Sequence, residues 1–165
     1  MARRSTFASA SAAVVSAALA ATGLLVLSGG APASAATPIT LVNPGFESGT
    51  LSGWTCDAGT GSIVSSPVHS GSYALTGAAS GSDDAQCSQT VTVQPSTAYT
   101  LTGWVEGAYV YLGDSGSGFS GTSTWTPSAT SWTQLSTTFT TGAATTSVTL
   151  YTHGWYGQGL SLIHI

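Results

Sequence analysis

Strand-like alternation is clearest in the segment Tyr99–Glu106, which reads YTLTGWVE. Every second residue from Tyr99 to Val105 is aromatic, aliphatic or glycine, whereas the residues between them are two threonines and Trp104. Successive side chains of a β-strand point to opposite faces of the sheet. The segment therefore predicts a strand with one face in a core.

Similar alternation recurs in Thr90–Gln94, Thr133–Phe139 and Thr146–Thr152, and Gly or Pro separates these segments. Thr, Val, Tyr and Trp favour strands. Several short strands divided by turn signals are typical of an antiparallel sandwich. We therefore predict an all-β protein, an antiparallel jelly-roll β-sandwich that forms one domain over residues 37–159.

Hydroxyl side chains dominate the composition. Ser and Thr together supply 52 of the 165 residues, whereas Asp, Glu, Lys and Arg together make up 5%, against about 25% in ordinary domains. The only two cationic side chains of the Lys and Arg type are Arg3 and Arg4. Binding to nucleic acid or to an anionic membrane depends on such cations, so we expect neither as a partner.

The first 36 residues have the features of an export signal. Arg3 and Arg4 precede an apolar stretch over residues 12–27, and the small residues 31–36 follow. This order is typical of a secretory signal peptide. The alternative is a membrane anchor, but the stretch is short and rich in Ala and Ser, whereas a span needs about 20 strongly apolar residues. We expect cleavage after Ala35 and a secreted, extracellular product.

The two cysteines, Cys56 and Cys87, both follow this segment. An oxidising compartment favours their pairing, and we predict a disulfide. The alternative is a metal site, but two cysteines 31 positions apart, without a CxxC motif, make a poor zinc signature.

The last six residues, 160–165, interrupt the pattern with the sequence LSLIHI. The mosaic end of a common transposase sequencing adapter encodes this hexapeptide in one reading frame. We therefore expect residues 160–165 to be a non-native tail on a truncated domain that lacks its last strand. The alternative is a genuine short strand, because the hexapeptide also alternates.

Several short strings resemble catalytic motifs, but the other residues that each motif requires are missing. Gly113–Gly116 reads GDSG, the nucleophile tetrapeptide of trypsin-like proteases, but the His-containing segment of that family is missing. Gly116–Gly121 fits GxGxxG, but no helix-forming segment follows. The neighbouring Asp83 and Asp84 do not make the opposed carboxylate pair of a glycosidase. We predict no catalytic residues in this chain.

Aromatic residues often share a strand phase with polar residues rather than with the core. Such rings suit sugars, because a pyranose stacks its C–H face on a ring while polar neighbours bind its hydroxyls. The alternative for each ring is ordinary packing, and we assign Trp54, Trp125 and Trp132 to packing. The candidate carbohydrate-binding residues are Trp104, Glu106, Tyr109, Tyr111, Tyr151, Trp155 and Tyr156.

Three strings together resemble one family. The opening Leu41–Trp54 (LVNPGFESGTLSGW), then Val68–Leu75 (VHSGSYAL) and Tyr99–Val105 (YTLTGWV), are similar to motifs of carbohydrate-binding modules of families 4 and 9. With His153–Gly159 (HGWYGQG), the chain looks closest to the N-terminal module of secreted bacterial chitinases of glycoside hydrolase family 18.

This resemblance implies a noncatalytic, monomeric jelly roll that binds polysaccharide, either chitin or a β-glucan, and brings an attached chitinase to it. It also implies a structural Ca²⁺ held by Glu47, by backbone oxygens near the His69–Gly71 turn, and by an Asp in a last strand of YADDV type, which is absent after Gly159. The alternative function is a structural or adhesive secreted module, which Ser- and Thr-rich strands also suit.

Overall fold

The computed structural model describes residues 38–57, 59–158 and 160–165. Over these ranges the chain forms ten strands in two five-stranded antiparallel sheets, which confirms the all-β sandwich prediction. None of the described segments forms a helix with the length and apolar character needed to cross a membrane. The predicted signal peptide, residues 1–36, lies outside the described residues.

The chain crosses repeatedly between the two sheets. In order they are β1 Thr55–Cys56, β2 Gly61–Val64, β3 Ala74–Ala78, β4 Cys87–Thr92, β5 Ala98–Gly107, β6 Val110–Ser115, β7 Ser123–Thr126, β8 Ala129–Thr140, β9 Ser147–His153 and β10 Leu160–His164. Sheet I has the order β1-β4-β9-β6-β7, and sheet II has the order β2-β3-β10-β5-β8. Of these strands, only the pairs β2–β3 and β6–β7 are consecutive within one sheet. The repeated crossing between sheets is the connectivity expected of a jelly roll.

The core lies between the sheets and follows the predicted alternation. In β5, Leu101 and Val105 are buried whereas Thr100 and Thr102 are exposed. Other buried core residues are Phe46, Trp54, Leu75, Leu112, Leu135, Phe139, Val148, Leu150 and Ile163. Each large apolar side chain buried in this way contributes about 1.5–3 kcal/mol.

Cys56 and Cys87 form a disulfide, as predicted. They are direct partners in the antiparallel pairing of β1 with β4. Strand β1 has only two residues and lies at the edge of sheet I. The disulfide therefore fixes a strand that backbone hydrogen bonds alone hold weakly.

The structure differs from the sequence-based expectation at the last strand. Leu160–His164 forms β10, which lies between β3 and β5 and pairs with both of them. Ile163 is 1% exposed and joins the core. Sheet II is thus continuous, because the alternation of the hexapeptide lets it fill a central position; its non-native origin stays a prediction.

Candidate functional site

Aromatic side chains gather on the outer face of sheet I. Tyr111 in β6 lies directly opposite Trp125 of β7 on one side and His153 of β9 on the other. Its strand neighbours Val110 and Leu112 are fully buried. Because strand side chains alternate, Tyr111 points away from the core, and its cross-strand partners share that face.

The rings on this face pack against one another. The Tyr111 ring centroid lies 4.5 Å from that of His153 and 5.5 Å from that of Trp125, with interplanar angles of 8° and 12°. Trp155 lies 5.7 Å from Tyr111. We call this group the aromatic patch; it comprises Tyr109, Tyr111, Trp125, Tyr151, His153, Trp155 and Tyr156.

Several rings of the aromatic patch are exposed to solvent while they stack on their neighbours. Tyr111, at its centre, is half-buried, whereas Trp125, Trp155 and Tyr156 are 47%, 43% and 47% exposed. Contiguous exposed apolar surface is characteristic of interaction sites on proteins. The stacking holds the exposed rings in place before a ligand arrives.

The segment that carries Trp155 and Tyr156 is held by backbone hydrogen bonds. Gly154 N donates to Asp84 O at 2.8 Å, and Gly157 N donates to Ser80 O at 2.8 Å. These bonds fasten the segment at both ends to the chain that precedes β4. The two exposed rings are therefore fixed at the edge of the patch.

The His153 imidazole contacts two oxygen atoms. Its Nδ1 lies 3.5 Å from Asp84 Oδ2 and also contacts the Gly154 carbonyl oxygen. Both of these partners are oxygen atoms that can accept a hydrogen bond. Asp84 also belongs to a group of three acids, with Asp57 and Asp83, whose oxygens lie within 4.8 Å of one another.

Sheet II carries the other two predicted sugar-binding residues. Trp104 stacks on His69 with a centroid distance of 4.1 Å and an angle of 15°. Trp132 and His164 pack around the same His69 ring. Glu106 follows Trp104 by two positions in β5 and shares its outer face. The seven candidates are thus divided, with five in the aromatic patch and two on the opposite sheet.

Two residues of the patch were not among the sequence-based candidates. We had assigned Trp125 to packing, but it is 47% exposed and stacks on both Tyr109 and Tyr111. His153 shares the strand phase of Tyr151, and this signal could have identified it. Trp54, also assigned to packing, is buried.

The GDSG string has a structural role in this fold. Asp114 is 2% exposed and accepts hydrogen bonds from the Oγ1 and backbone N of Thr122, at 2.6 and 3.2 Å. It therefore holds the chain that enters β7 rather than orienting a histidine. Ser115 is the exposed last residue of β6.

Glu47 closes the turn before β3. Its carboxylate accepts hydrogen bonds from the backbone N of Ser72 at 2.9 Å and of Tyr73 at 3.3 Å. Ca²⁺ takes six to eight oxygen ligands. Around Glu47 the described residues offer N–H donors and the imidazole of His164, which lies beside Gly45. The Glu47 carboxylate could supply part of such a set of oxygen ligands, and the calcium site stays a prediction.

His164 itself is partly enclosed on sheet II. Burial lowers the pKa of its imidazole from the usual 6.5, the nearby His69 lowers it further, and Glu47 partly opposes both effects. Its Nδ1 lies 3.3 Å from the Ser70 hydroxyl. The neutral imidazole is therefore favoured where it packs against the His69 ring.

Solved structures with a similar fold include two carbohydrate-binding modules. The chain is similar to TmCBM61 in complex with β-1,4-galactotriose, with a TM-score of 0.63 and 21% identity over 78% of this chain and 95% of that one. It also resembles Family 16 Carbohydrate Binding Module-2, with a TM-score of 0.61 and 18% identity over 76% and 95% of the two chains. At these identities the likeness establishes the fold.

Jelly-roll sandwiches occur among lectins and other domain classes. The family described as Carbohydrate binding domain (CBM_4_9) matches residues 40–158, and this chain belongs to it. The chain is also 58% identical, over 146 residues, to Exochitinase 1 of Streptomyces olivaceoviridis. That alignment covers 88% of this chain and 24% of the exochitinase.

Proposed function

We propose that the chain binds a neutral polysaccharide on the aromatic patch and brings a linked hydrolase to it. The observation that carries this proposal is the pair of exposed tryptophans, Trp125 and Trp155, each within 5.7 Å of the Tyr111 ring. The two indole rings offer apolar surfaces next to the Tyr111 ring. Such surfaces suit the C–H faces of sugar rings.

The polar groups of the patch complete a sugar site. The phenol hydroxyls of Tyr109, Tyr111 and Tyr151 can each donate and accept a hydrogen bond. The acids near His153, including Asp84, can accept bonds from sugar hydroxyls. Residues 38–165 contain no Lys or Arg, so a neutral chain is favoured over an anionic one.

Chitin is the polysaccharide that we propose first. The supporting observation is the 58% identity to Exochitinase 1, of which this chain spans about a quarter. The rest of a protein of that length has room for a hydrolase domain, which the module would bring to solid substrate. We further propose that the product is secreted, which agrees with the disulfide and with the predicted signal peptide.

Retention on insoluble polysaccharides tests this function. The chain would be incubated with chitin, cellulose and xylan, and the protein left in solution would be measured. We expect chitin to remove the wild-type chain from solution, whereas the Trp155→Ala variant should stay in solution. Trp104→Ala is the matched control, because it removes the same side chain from the opposite sheet. Full recovery of the wild-type protein from all three solids would contradict the proposal.

A further inference from the structure

A second concave site lies on the outer face of sheet II, on the other side of the sandwich from the aromatic patch. It is a cavity of about 450 Å³, within the range of small-molecule sites. Its lining includes Val64, Ser66, Pro67, Thr76, Glu106 and Leu162. We call it the Glu106 pocket.

The floor of the pocket is set by strand register. Ser62 of β2 pairs with Thr76 of β3, which pairs with Leu162 of β10, which in turn pairs with Glu106 of β5. One row of side chains therefore crosses four strands on the same face. Residues 66–67, in the connection from β2 to β3, form part of the wall.

Thr76 supplies an unused polar group in this floor. Its side chain is 7% exposed, and its Oγ1 is buried without a hydrogen-bond partner among the described residues. Leaving such a hydroxyl unpaired costs free energy. A ligand that carries hydroxyl groups can supply the missing partner, and rotation about χ1 can turn the Thr76 hydroxyl toward it.

Glu106 gives the pocket its charge. The carboxylate is half-buried, and residues 38–165 contain no Lys or Arg to neutralise it. It therefore excludes anions and accepts hydrogen bonds from donor groups. Val64, Pro67 and Leu162 provide apolar surface beside these two polar residues.

We propose that the Glu106 pocket binds one or two sugar rings at the end of a saccharide, independently of the aromatic patch. The Glu106 carboxylate and the Thr76 hydroxyl can bind the hydroxyls of a neutral sugar, and the apolar wall can contact its C–H face. A depression of this size suits a short saccharide, whereas the extended aromatic patch suits the middle of a chain. The choice of sugar as ligand rests on the proposed function; the pocket itself does not.

Amide chemical shifts of the full chain, titrated with di-N-acetylchitobiose and separately with cellobiose, test this site. We expect at least one disaccharide to shift the amides of Ser62, Thr76 and Glu106. Glu106→Gln keeps the shape of the side chain but removes its charge. It should weaken disaccharide binding about tenfold, which is the effect of losing a charge-assisted hydrogen bond.

The converse variant separates the two sites. Trp155→Ala should lose retention on chitin and keep the disaccharide shifts in the pocket. If the wild-type chain is not retained on chitin but the disaccharide still shifts the pocket amides, the proposed function alone is overturned. The pocket proposal is overturned if millimolar disaccharide shifts only amides of the patch or none at all. It is also overturned if Glu106→Gln binds as tightly as the wild-type chain.

Discussion

The ring of Tyr151 lies directly over Gly113 on the outer face of sheet I. The two residues are partners in the pairing of β6 with β9, and a Cβ on Gly113 would come within 2.6 Å of the Tyr151 Cζ and hydroxyl oxygen. Only the absence of a side chain allows the ring to lie there. The glycine that makes the segment resemble a protease motif thus makes room for a ring of the aromatic patch.

Gly113→Ala should therefore displace Tyr151 and weaken polysaccharide binding. The added methyl group would also approach the backbone oxygen of Thr122 at 2.8 Å, so we expect a loss of stability of about 1–3 kcal/mol, as for other overpacked sites. Retention on chitin and urea denaturation measure the two effects. Gly81→Ala is the matched control, since nothing lies within 4 Å of a Cβ there. Equal retention in both variants would refute the role of this contact.

Removing the disulfide should lower the stability of the fold but leave polysaccharide binding largely intact. Cys56 and Cys87 are 31 positions apart, and closing a loop of that length is worth about 3.6 kcal/mol in the chain-entropy model. The Cys56→Ala, Cys87→Ala variant should therefore melt at a lower temperature. At temperatures where it stays folded, it should still bind polysaccharide, because the exposed rings lie on β7 and after β9. An unchanged melting temperature would argue against a stabilising disulfide.

Stability should fall as the pH is lowered through the range of histidine titration. The pKa of His164 is lowered from 6.5, chiefly by burial, so below pH 6.5 the unfolded chain binds more protons than the folded one. The free energy of unfolding is then highest above pH 6.5 and decreases toward the lowered pKa. Urea denaturation at several pH values measures it. In His164→Gln the decrease should be smaller; the same decrease in both proteins would rule out His164 as its source.

The sequence predicted the strands better than their assignment to sheets. Alternation in Tyr99–Glu106 gave β5 and its buried face correctly, because one strand's pleat is a local property. It could not show that Trp104 and Tyr111 face opposite sides of the molecule. Their separation depends on the connection after β5, where Gly107 and Tyr109 adopt φ values of 128° and 51° and the chain passes from sheet II to sheet I.

The structure differs from the sequence-based expectation at two further places, and tertiary structure is the reason in both. Trp125 was assigned to packing, yet the pairing of β7 with β6 places it beside Tyr111 on the exposed face. The hexapeptide 160–165 looked foreign to the domain, yet its alternation suits the gap between β3 and β5. In both cases the neighbouring strand, which sequence pattern does not reveal, decides the position.

The central claim is that polysaccharide binds across the aromatic patch of sheet I. A depletion isotherm on insoluble chitin, comparing the wild-type chain with the Trp125→Ala, Trp155→Ala double variant and the Trp104→Ala control, tests it most directly. Stacking of a sugar on each ring is worth on the order of 1 kcal/mol, so the double variant should bind at least about tenfold more weakly while the control binds as the wild type. Equal affinity of the double variant and the wild type, with loss of binding in Trp104→Ala, would contradict the claim.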